Sequence, residues 1–422
     1  MFCRGRLSLV VALLAFSCAC AGGPSDASTG SGSGGAGNGS AGGEASSSQS
    51  GGELSNLDAL LAALRSDRYA TLLAVSREGG WPAKVDDGWL VVSSDLARTM
   101  VAGDATDWMP MAMTLDEGFA WRVVDGATGS RYKLTDGASD WVADPWARAL
   151  SYDDNGEMSH LSPPTMPHLE RHLAVASHGL APRAVRVWLP SQPAARVLYL
   201  HDGQNLFDPA AIGGGWHLAE SAPDAMMLVG IDNTAARMDE YTHVADDLGD
   251  GPIGGAGDAY ADFLHETVRA LVTKHYGEPS IVGVMGSSLG GLVSLHVAHR
   301  YPGAYRFTGS MSGTLGWGSI GPQSHAETMI ERLAATGLEG AVVYLDSGGD
   351  GPCADLDADG IDDDGDGTDN YCETKQVQAA LVAKGYTDGV DLHHWHEPGA
   401  PHHESAWAAR VWRPLELFGA LP

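Results

Sequence analysis

The stretch VGVMGSSLGGLVSLHVAHRYPGAY, from Val282 to Tyr305, places two serines between glycines where one kind of secondary structure gives way to another. The residues just before the glycines, IVGVM, form a short apolar run of the kind found in buried strands. The residues that follow, GLVSLHVAHRYP, have the amphipathic spacing of a helix. The sequence therefore predicts a sharp strand-to-helix turn, in which a serine either packs as a small residue or is presented as a nucleophile.

Gly286, Ser288 and Gly290 form a G-x-S-x-G pattern, which is typical of a nucleophile elbow when it lies between a strand and a helix. The serine of such an elbow occupies a strained turn, so its neighbours must be small. The amide of Leu289 then points to the place where the negative oxygen of a tetrahedral intermediate would form. The pattern alone is weak, but the flanking strand and helix supply the required context, and Ser288 is the predicted nucleophile.

A nucleophilic serine needs a histidine to take its proton and a carboxylate to orient that histidine, and after an elbow the acid precedes the histidine along the chain. The strand candidate AVVYLDSGGD ends in Asp350, the predicted acid, with Asp346 as its competitor. The loop GAPHHESAW offers His402, with His403 as its rival. The predicted triad is Ser288, Asp350 and His402.

A second donor for the oxyanion is expected from the sequence DGQNLFD, directly after the strand candidate RVLYLH. Gly203 allows a close approach of the backbone, and the amide of Gln204 or of Asn205 can then point inward. Gln204 and Leu289 are the predicted oxyanion hole, and a simple turn is the alternative for this loop.

Apolar strands and helical segments alternate through the second part of the chain. AVRVWLP, RVLYLH, MMLVGID and AVVYLD are strand candidates, and AYADFLHETVRALVTKHY is helical. This alternation predicts a mostly parallel sheet with helices on both faces over residues 166–422. Residues 54–165 instead contain short runs of period-two alternation between turns, which predict a small all-β, immunoglobulin-like sandwich. SPPTMPH, from Ser162 to His168, is the expected linker.

Several stretches together resemble the putative-esterase family of α/β-hydrolases, which includes enterochelin, feruloyl and acetyl-xylan esterases and S-formylglutathione hydrolases. They are, in chain order, YLHDGQNLFD, VGIDNTAARMDEYTHV, GVMGSSLGGLVSLHVAHRYP, YLDSGGD and GAPHHESAW. The resemblance implies an α/β-hydrolase fold, hydrolysis of carboxylic esters and no organic cofactor. In the family the closing histidine lies a few residues before a tryptophan, which favours His402, ahead of Trp407, over His403.

The front segments VAGDATDWMPMAM, RYKL and DWVADPWA resemble the early-set domains that precede some esterases and glycogen-active enzymes. In the glycogen-type versions, exposed tryptophans stack on sugar rings. Trp108, Trp121 and Trp141 are the residues that the resemblance places in this role, and packing within the sandwich or at its interface is the alternative that we favour.

The family pattern is interrupted directly after Asp350 by an insertion, GPCADLDADGIDDDGDGTDNYCET, residues 351–374. Because the chain must return from it toward the histidine, Asp369 and Glu373 on its far side are alternatives to Asp350 as the acid. Cys353 and Cys372 bracket the acidic segment and are the only cysteines outside the leader. In an exported chain, such a pair predicts a disulfide.

The insertion also contains a pattern close to a calcium-binding loop. Aspartates alternate ahead of Gly360, as in the D-x-D-x-D-G loops that wrap a calcium ion with oxygen ligands. An aspartate replaces the usual final glutamate, and a solvated acidic loop is the alternative. The predicted ligands of a structural calcium ion are Asp355, Asp357, Asp359, Ile361, Asp363 and Asp366.

The first 20 residues predict export. Arg4 and Arg6 precede the apolar run LSLVVALLAF, as in a secretory leader, and Cys20 or Cys18 is the residue that lipidation would modify. Residues 21–53 are rich in glycine and serine and are predicted to be a disordered tether. The expected location is the periplasm, the outer surface as a lipoprotein, or the medium.

The charge balance restricts the partners. The chain has 54 acidic and 25 basic residues, a net charge of −29, so it offers no basic surface for nucleic acid or for an anionic membrane. The sequence predicts an exported serine esterase that acts through an acyl-enzyme on sugar-linked acetyl or feruloyl esters, or on siderophore esters. A non-catalytic glycan-binding lipoprotein and an acyltransferase on the same fold are the alternatives, and no protein partner is implied.

Overall fold

The structure is a computed structural model that describes residues 56–165, 167–321, 325–356, 358–362 and 369–422. The predicted leader, the predicted tether and both candidate lipidation cysteines, Cys18 and Cys20, lie outside these ranges. Within them, no helix combines the length and the apolar character that a membrane-spanning helix needs.

The described residues form the following strands and helices. The strands are β1 Ala83–Val85, β2 Gly88–Ser93, β3 Met100–Gly103, β4 Met111–Ala112, β5 Thr114–Asp116, β6 Phe119–Val124, β7 Arg131–Thr135, β8 Trp141–Val142, β9 Ala149–Asp153, β10 Gly156–His160, β11 His168–Val175, β12 Arg183–Leu189, β13 Arg196–His201, β14 Met226–Ile231, β15 Ala245–Asp247, β16 Pro252–Gly254, β17 Ile281–Ser287, β18 Phe307–Met311, β19 Val342–Ser347 and β20 Leu392–His396. The helices are α1 Leu57–Ser66, α2 Arg68–Glu78, α3 Leu218–Ser221, α4 Arg237–Glu240, α5 Gly257–Asp262, α6 Arg269–Tyr276, α7 Leu289–Arg300, α8 Met329–Thr336, α9 Tyr371–Ala383, α10 Glu404–Arg410 and α11 Trp412–Ala420.

A parallel sheet with helices on both faces organises the second part of the chain, as predicted. Its strands lie in the order β20-β19-β18-β17-β13-β14, all parallel, and β12 then pairs antiparallel with β14. Helices α5, α7, α8 and α9 pack on one face, where Tyr260 and Leu292 are fully buried. Helices α10 and α11 pack on the other face through Trp407, Leu415 and Phe418. Burial on both faces explains why these strands are apolar throughout rather than alternating.

The front part of the chain contains two packed sheets, but it is joined to the parallel sheet more closely than the sequence suggested. A four-stranded sheet, β1-β2-β6-β5, packs against β3 and β7 through residues such as Val91 and Tyr132. Its other face is covered by α1 and α2, which bury Leu60 and Leu72 against Leu90. These two helices are an addition to the expected all-β layout.

Strand β11 carries the large sheet across the expected linker. Its residues Leu169 and Glu170 pair with Leu150 and Ala149 of β9, while its other edge pairs with β12. The two parts therefore share one 14-stranded sheet. A boundary at residue 165 and the early-set assignment of the front part stay predictions.

The parallel strands bring three loops to one edge of the sheet. Strand β13 ends at His201, β17 at Ser287 and β19 at Ser347. Because the carboxyl ends of parallel strands meet at the same edge, the loops that follow them lie close together. These are the loops in which the sequence placed the oxyanion donors, the nucleophile and the acid.

Candidate active site

Ser288 occupies the turn between β17 and α7. Its φ of 56° and ψ of −127° place a non-glycine residue in a strained conformation that buried strands and helices do not use. A Cβ added at Gly286 would lie 2.8 Å from the backbone of Gly290, so the chain can make this turn only with glycine there. The local sequence thus accounts for the elbow that the pattern predicted.

His402 lies beside this serine. Its Nε2 is 2.9 Å from Ser288 Oγ, and its Nδ1 is 2.7 Å from Asp369 Oδ1. A carboxylate only accepts hydrogen bonds, so Nδ1 carries the hydrogen and Nε2 is left free to accept one from the serine hydroxyl. The ring is also held edge-on by Trp407, with ring centroids 4.9 Å apart. Ser288, His402 and Asp369 are therefore joined by a continuous chain of hydrogen bonds.

The carboxylate that faces His402 Nδ1 belongs to Asp369. The sequence predicted Asp350 at this position, so the predicted acid is corrected. The side chain of Asp350 is 65% exposed, and its nearest ionic partner is His396 at 3.7 Å. Asp350 lies three residues beyond the end of β19, where the chain leaves the sheet for the insertion. The chain returns at Asp369, directly before α9, with a side chain that is 1% exposed.

The Asp369 carboxylate is fixed by several donors. Its Oδ2 accepts hydrogen bonds from the hydroxyl of Ser312 at 2.8 Å and from the amide of Gly348 at 2.5 Å. Arg410 lies 3.4 Å from the same oxygen and also donates to Ser312 Oγ at 2.7 Å. Trp407 donates its indole N–H to this hydroxyl at 3.0 Å. Sequence reasoning missed Ser312 and Arg410, because neither belongs to a local motif.

The other candidates take structural positions. His403 caps α10, accepting a hydrogen bond from the amide of Ser405 at 3.3 Å, and does not face the serine. Asp346 is fully buried and pairs with Arg410 at 3.1 Å rather than with His402. Burial raises the pKa of Asp346 to about 6. Glu373 accepts from the amide of Gly316 at 2.9 Å and so joins the end of the insertion to the loop that follows β18.

The two predicted oxyanion donors lie at the starts of helical turns. Leu289 is the first residue of α7, where the first N–H groups have no acceptor within the helix. Gln204 lies in the short 3₁₀ helix Gly203–Asn205 after β13, and its side chain accepts from the amide of Asn233 at 3.0 Å. A Cβ added at Gly203 would lie 2.6 Å from the carbonyl carbon of Gly230, so glycine is required for this close approach.

The insertion is closed by the disulfide that the sequence predicted, Cys353–Cys372. Cys372 lies three residues after Asp369, in the first turn of α9. The disulfide therefore fastens the segment that carries the carboxylate facing His402.

Replacing both cysteines by serine should destabilise the protein. A closed loop with a sequence separation of 19 residues restricts the unfolded chain enough to contribute about 3 kcal/mol to the free energy of unfolding. The expected result is a lower Tm with a loss of kcat below about tenfold, because Ser312 and Gly348 still hold Asp369. Thermal unfolding and ester hydrolysis measure the two effects, and reduction of the wild-type protein should reproduce them. An unchanged Tm would contradict the prediction.

The predicted calcium ligands are only partly described. Asp357, Asp363 and Asp366 lie outside the described residues. Asp355 accepts hydrogen bonds from the amides of Asp359 and Gly360, while Ile361 packs its side chain into the core. Among the described residues no group of three histidine, cysteine or acidic side chains is arranged to hold a metal ion, so calcium binding stays a prediction.

The predicted sugar-stacking tryptophans are half-buried. Trp121 packs against the cluster beneath α1 and α2. Trp108 donates its indole N–H to Asp104 at 3.0 Å, and Trp141 donates to the carbonyl of Ala138 at 3.1 Å. Carbohydrate binding by these residues stays a prediction.

Comparisons with known proteins found a matching family, a sequence relative and similar solved structures. A sequence profile of the family described as "Putative esterase" matches residues 181–415. The uncharacterized protein YbbA of Bacillus subtilis is 27% identical over 237 residues, which cover 53% of this chain and 85% of that protein. Among solved structures, the enterobactin esterase FES of Shigella flexneri aligns at 16% identity and a TM-score of 0.44, over 78% of this chain and 92% of its own. An IroE-like serine hydrolase of Shewanella oneidensis aligns at 17% identity and a TM-score of 0.44, over 60% of this chain and 82% of its own.

The family profile spans more than half of the chain and includes Ser288, Asp369 and His402. It also contains the elbow, the 3₁₀ helix after β13 and the histidine loop. The protein therefore belongs to the putative-esterase family and is a carboxylic ester hydrolase with an α/β-hydrolase fold.

Proposed function

We propose that the protein hydrolyses its ester through a covalent acyl-enzyme on Ser288, with His402 as the proton carrier and Asp369 as the group that orients it. The single observation that supports this is the pair of hydrogen bonds made by His402. Its Nε2 lies 2.9 Å from Ser288 Oγ, and its Nδ1 lies 2.7 Å from Asp369 Oδ1. Both distances lie within the range needed for proton transfer between positioned groups.

The reaction proceeds in two halves. Ser288 Oγ attacks the ester carbonyl carbon while His402 Nε2 takes the hydroxyl proton, and the carbonyl oxygen becomes negative. The amides of Leu289 and Gln204 stabilise that charge as hydrogen-bond donors. The protonated His402 then gives its proton to the departing alcohol. In the second half a water molecule attacks the acyl group, loses a proton to His402, and the acid leaves as that proton returns to Ser288.

The charge of the chain favours neutral esters as substrates. A polyanionic siderophore complex would require cations that are free to face it. Arg237, within the stretch NTAARMDEY, is 5% exposed and pairs with Asp202 through contacts of 2.8 and 2.9 Å. Together with the net charge of −29, this buried pair supports acetyl or feruloyl esters linked to sugars.

A substrate panel tests the proposal. Purified protein would be assayed on acetyl, feruloyl and siderophore esters, and the products identified, because transfer of the acyl group to a sugar would reveal an acyltransferase. A fluorophosphonate probe should add one label per chain, on the peptide that contains Ser288. A higher kcat/KM on a siderophore ester than on every neutral ester would overturn the substrate proposal. Labelling elsewhere would overturn the acyl-enzyme.

We also propose that the protein is exported and that the insertion binds a structural calcium ion. The apolar leader and the disulfide support export, since disulfides persist in oxidising compartments. Oxygen-rich loops of this pattern bind calcium in extracellular proteins.

A calcium chelator should lower the Tm of the wild-type protein, and added calcium should restore it. Binding to the folded state alone stabilises it by mass action, about 2.7 kcal/mol at a free ion concentration 100-fold above Kd. The Asp355→Asn variant, which loses one of the predicted ligands, serves as the control and should respond less. A Tm that is the same with chelator and with calcium would exclude a structural calcium ion.

A further inference from the structure

Glu404 is a half-buried carboxylate that joins the histidine loop to the loop that carries Gln204. It lies two residues after His402, at the first position of α10. Its Oε1 accepts from the side-chain amide of Asn205 at 3.1 Å, and its Oε2 accepts from the indole N–H of Trp216 at 2.5 Å. Both contacts reach other segments of the chain rather than the helix to which Glu404 belongs.

Even partial burial of this carboxylate is costly. Burial raises the pKa of Glu404 to about 7, and Asp202 raises it further, against the hydrogen bond from Trp216. The nearby cation, Arg237, makes its own close pair with Asp202 and so is not bound to Glu404. A helix N-terminus favours a negative charge, but an exposed glutamate would supply that benefit without the cost of burial. The position of Glu404 therefore calls for an explanation beyond the helix end.

Asn205 is the C-terminal residue of the 3₁₀ helix that contains Gln204. Its amide donates to the carbonyl of Asp202 at 2.8 Å, and its carbonyl accepts from the amide of Trp216 at 2.9 Å. The backbone bonds fix the shape of this short helix and its contact with Trp216. The bond from its side chain to Glu404 joins this helix directly to the start of α10, two residues after His402.

We propose that Glu404 is a positioning residue that holds the predicted oxyanion-donor loop at its working distance from His402 by bonding to Asn205. The inference rests on the proposed function. The amide of Gln204 and the imidazole of His402 must act on the same carbonyl group at the same moment, so the distance between their loops is part of the site. Trp216 anchors the other oxygen of Glu404 in the core and keeps the carboxylate from turning away.

The test compares Glu404→Ala, Asn205→Ala, the double variant and Glu404→Gln. Displacement of a catalytic group by about 1 Å costs about 100-fold in rate, so each alanine variant should lower kcat by about 10- to 100-fold with little change in KM. The double variant should lose no more than the worse single one, because both remove the same link. Glutamine can accept from Trp216 and donate to Asn205 after rotation of the Asn205 amide, so it should recover most of the activity.

The Glu397→Ala variant is the matched control. Glu397 also accepts an indole N–H, from Trp395 at 3.0 Å, but it is exposed, and this side-chain bond does not reach the loop that carries Gln204. It should keep the wild-type kcat. If Glu404→Ala fails to fold, Asn205→Ala alone decides the question, since it leaves the Glu404 carboxylate and its bond to Trp216 in place.

Three results would overturn the inference. The first is an unchanged kcat in Asn205→Ala, and the second is additive losses of kcat in the double variant. The third is a Glu404→Gln variant that loses as much activity as Glu404→Ala while Asn205→Ala stays active. These results differ from those expected if the proposed function itself is wrong. If the proposed function is wrong, the wild-type protein shows no hydrolysis that depends on Ser288. If only the inference about Glu404 is wrong, the protein remains an esterase that depends fully on Ser288.

Discussion

The Ser288→Ala variant is expected to lose at least about 10⁴-fold in kcat/KM on short p-nitrophenyl esters, because no other group can take over the covalent step. The loss should be in kcat. Alanine retains the Cβ and tolerates the φ of 56° no worse than serine, so the Tm should stay close to that of the wild-type protein. A loss of activity without loss of stability separates a chemical cause from a folding defect.

Ser287→Ala is the matched control for this experiment. Ser287 is the last residue of β17, is 5% exposed and differs from Ser288 by one position. In the part of the chain that the structure describes, His402 Nε2 bonds to the hydroxyl of Ser288 and not to that of Ser287. The variant should keep most of the wild-type kcat. If Ser287→Ala lost activity and Ser288→Ala kept it, the assignment of the nucleophile would be reversed.

Features that depend on a few neighbouring residues could be predicted from the sequence. The elbow requires small residues next to Ser288 and a strand and a helix around it, and all of these are visible within the stretch from Ile281 to Arg300. The parallel sheet follows from apolar runs that alternate with helical segments. His402 could be distinguished from His403 by its spacing to Trp407, through the family resemblance.

Features that depend on the path of a long loop could not be predicted in this way. The residue that faces His402 is separated from β19 by more than 20 residues, and only the three-dimensional structure shows that this residue is Asp369 and not Asp350. Arg410 and Ser312 meet Asp369 from distant segments and leave no local pattern. Likewise, period-two alternation predicted strands in the front part but not the pairing of β9 with β11 that continues the large sheet.

Replacement of Asp369, the carboxylate that faces His402, should produce the second large effect on activity. Asp369→Asn should lower kcat by about 10⁴-fold, the loss typical when the acid of such a triad becomes an amide. The cause lies in the donors around Oδ2. The amide of Gly348 and the guanidinium of Arg410 can only donate, so the oxygen of the new asparagine must face them. Its NH₂ group then faces His402 Nδ1.

That arrangement forces the wrong form of the histidine. With an NH₂ group opposite, Nδ1 must accept, so the hydrogen moves to Nε2, which can then no longer take the proton of Ser288. Asp350→Asn removes one negative charge from the chain in the same way, but its side chain is 65% exposed and its ionic partner is His396. It should change kcat by less than about twofold, as exposed substitutions usually have small effects. Equal losses in the two variants would mean that charge, rather than the position of the carboxylate behind His402, limits the reaction.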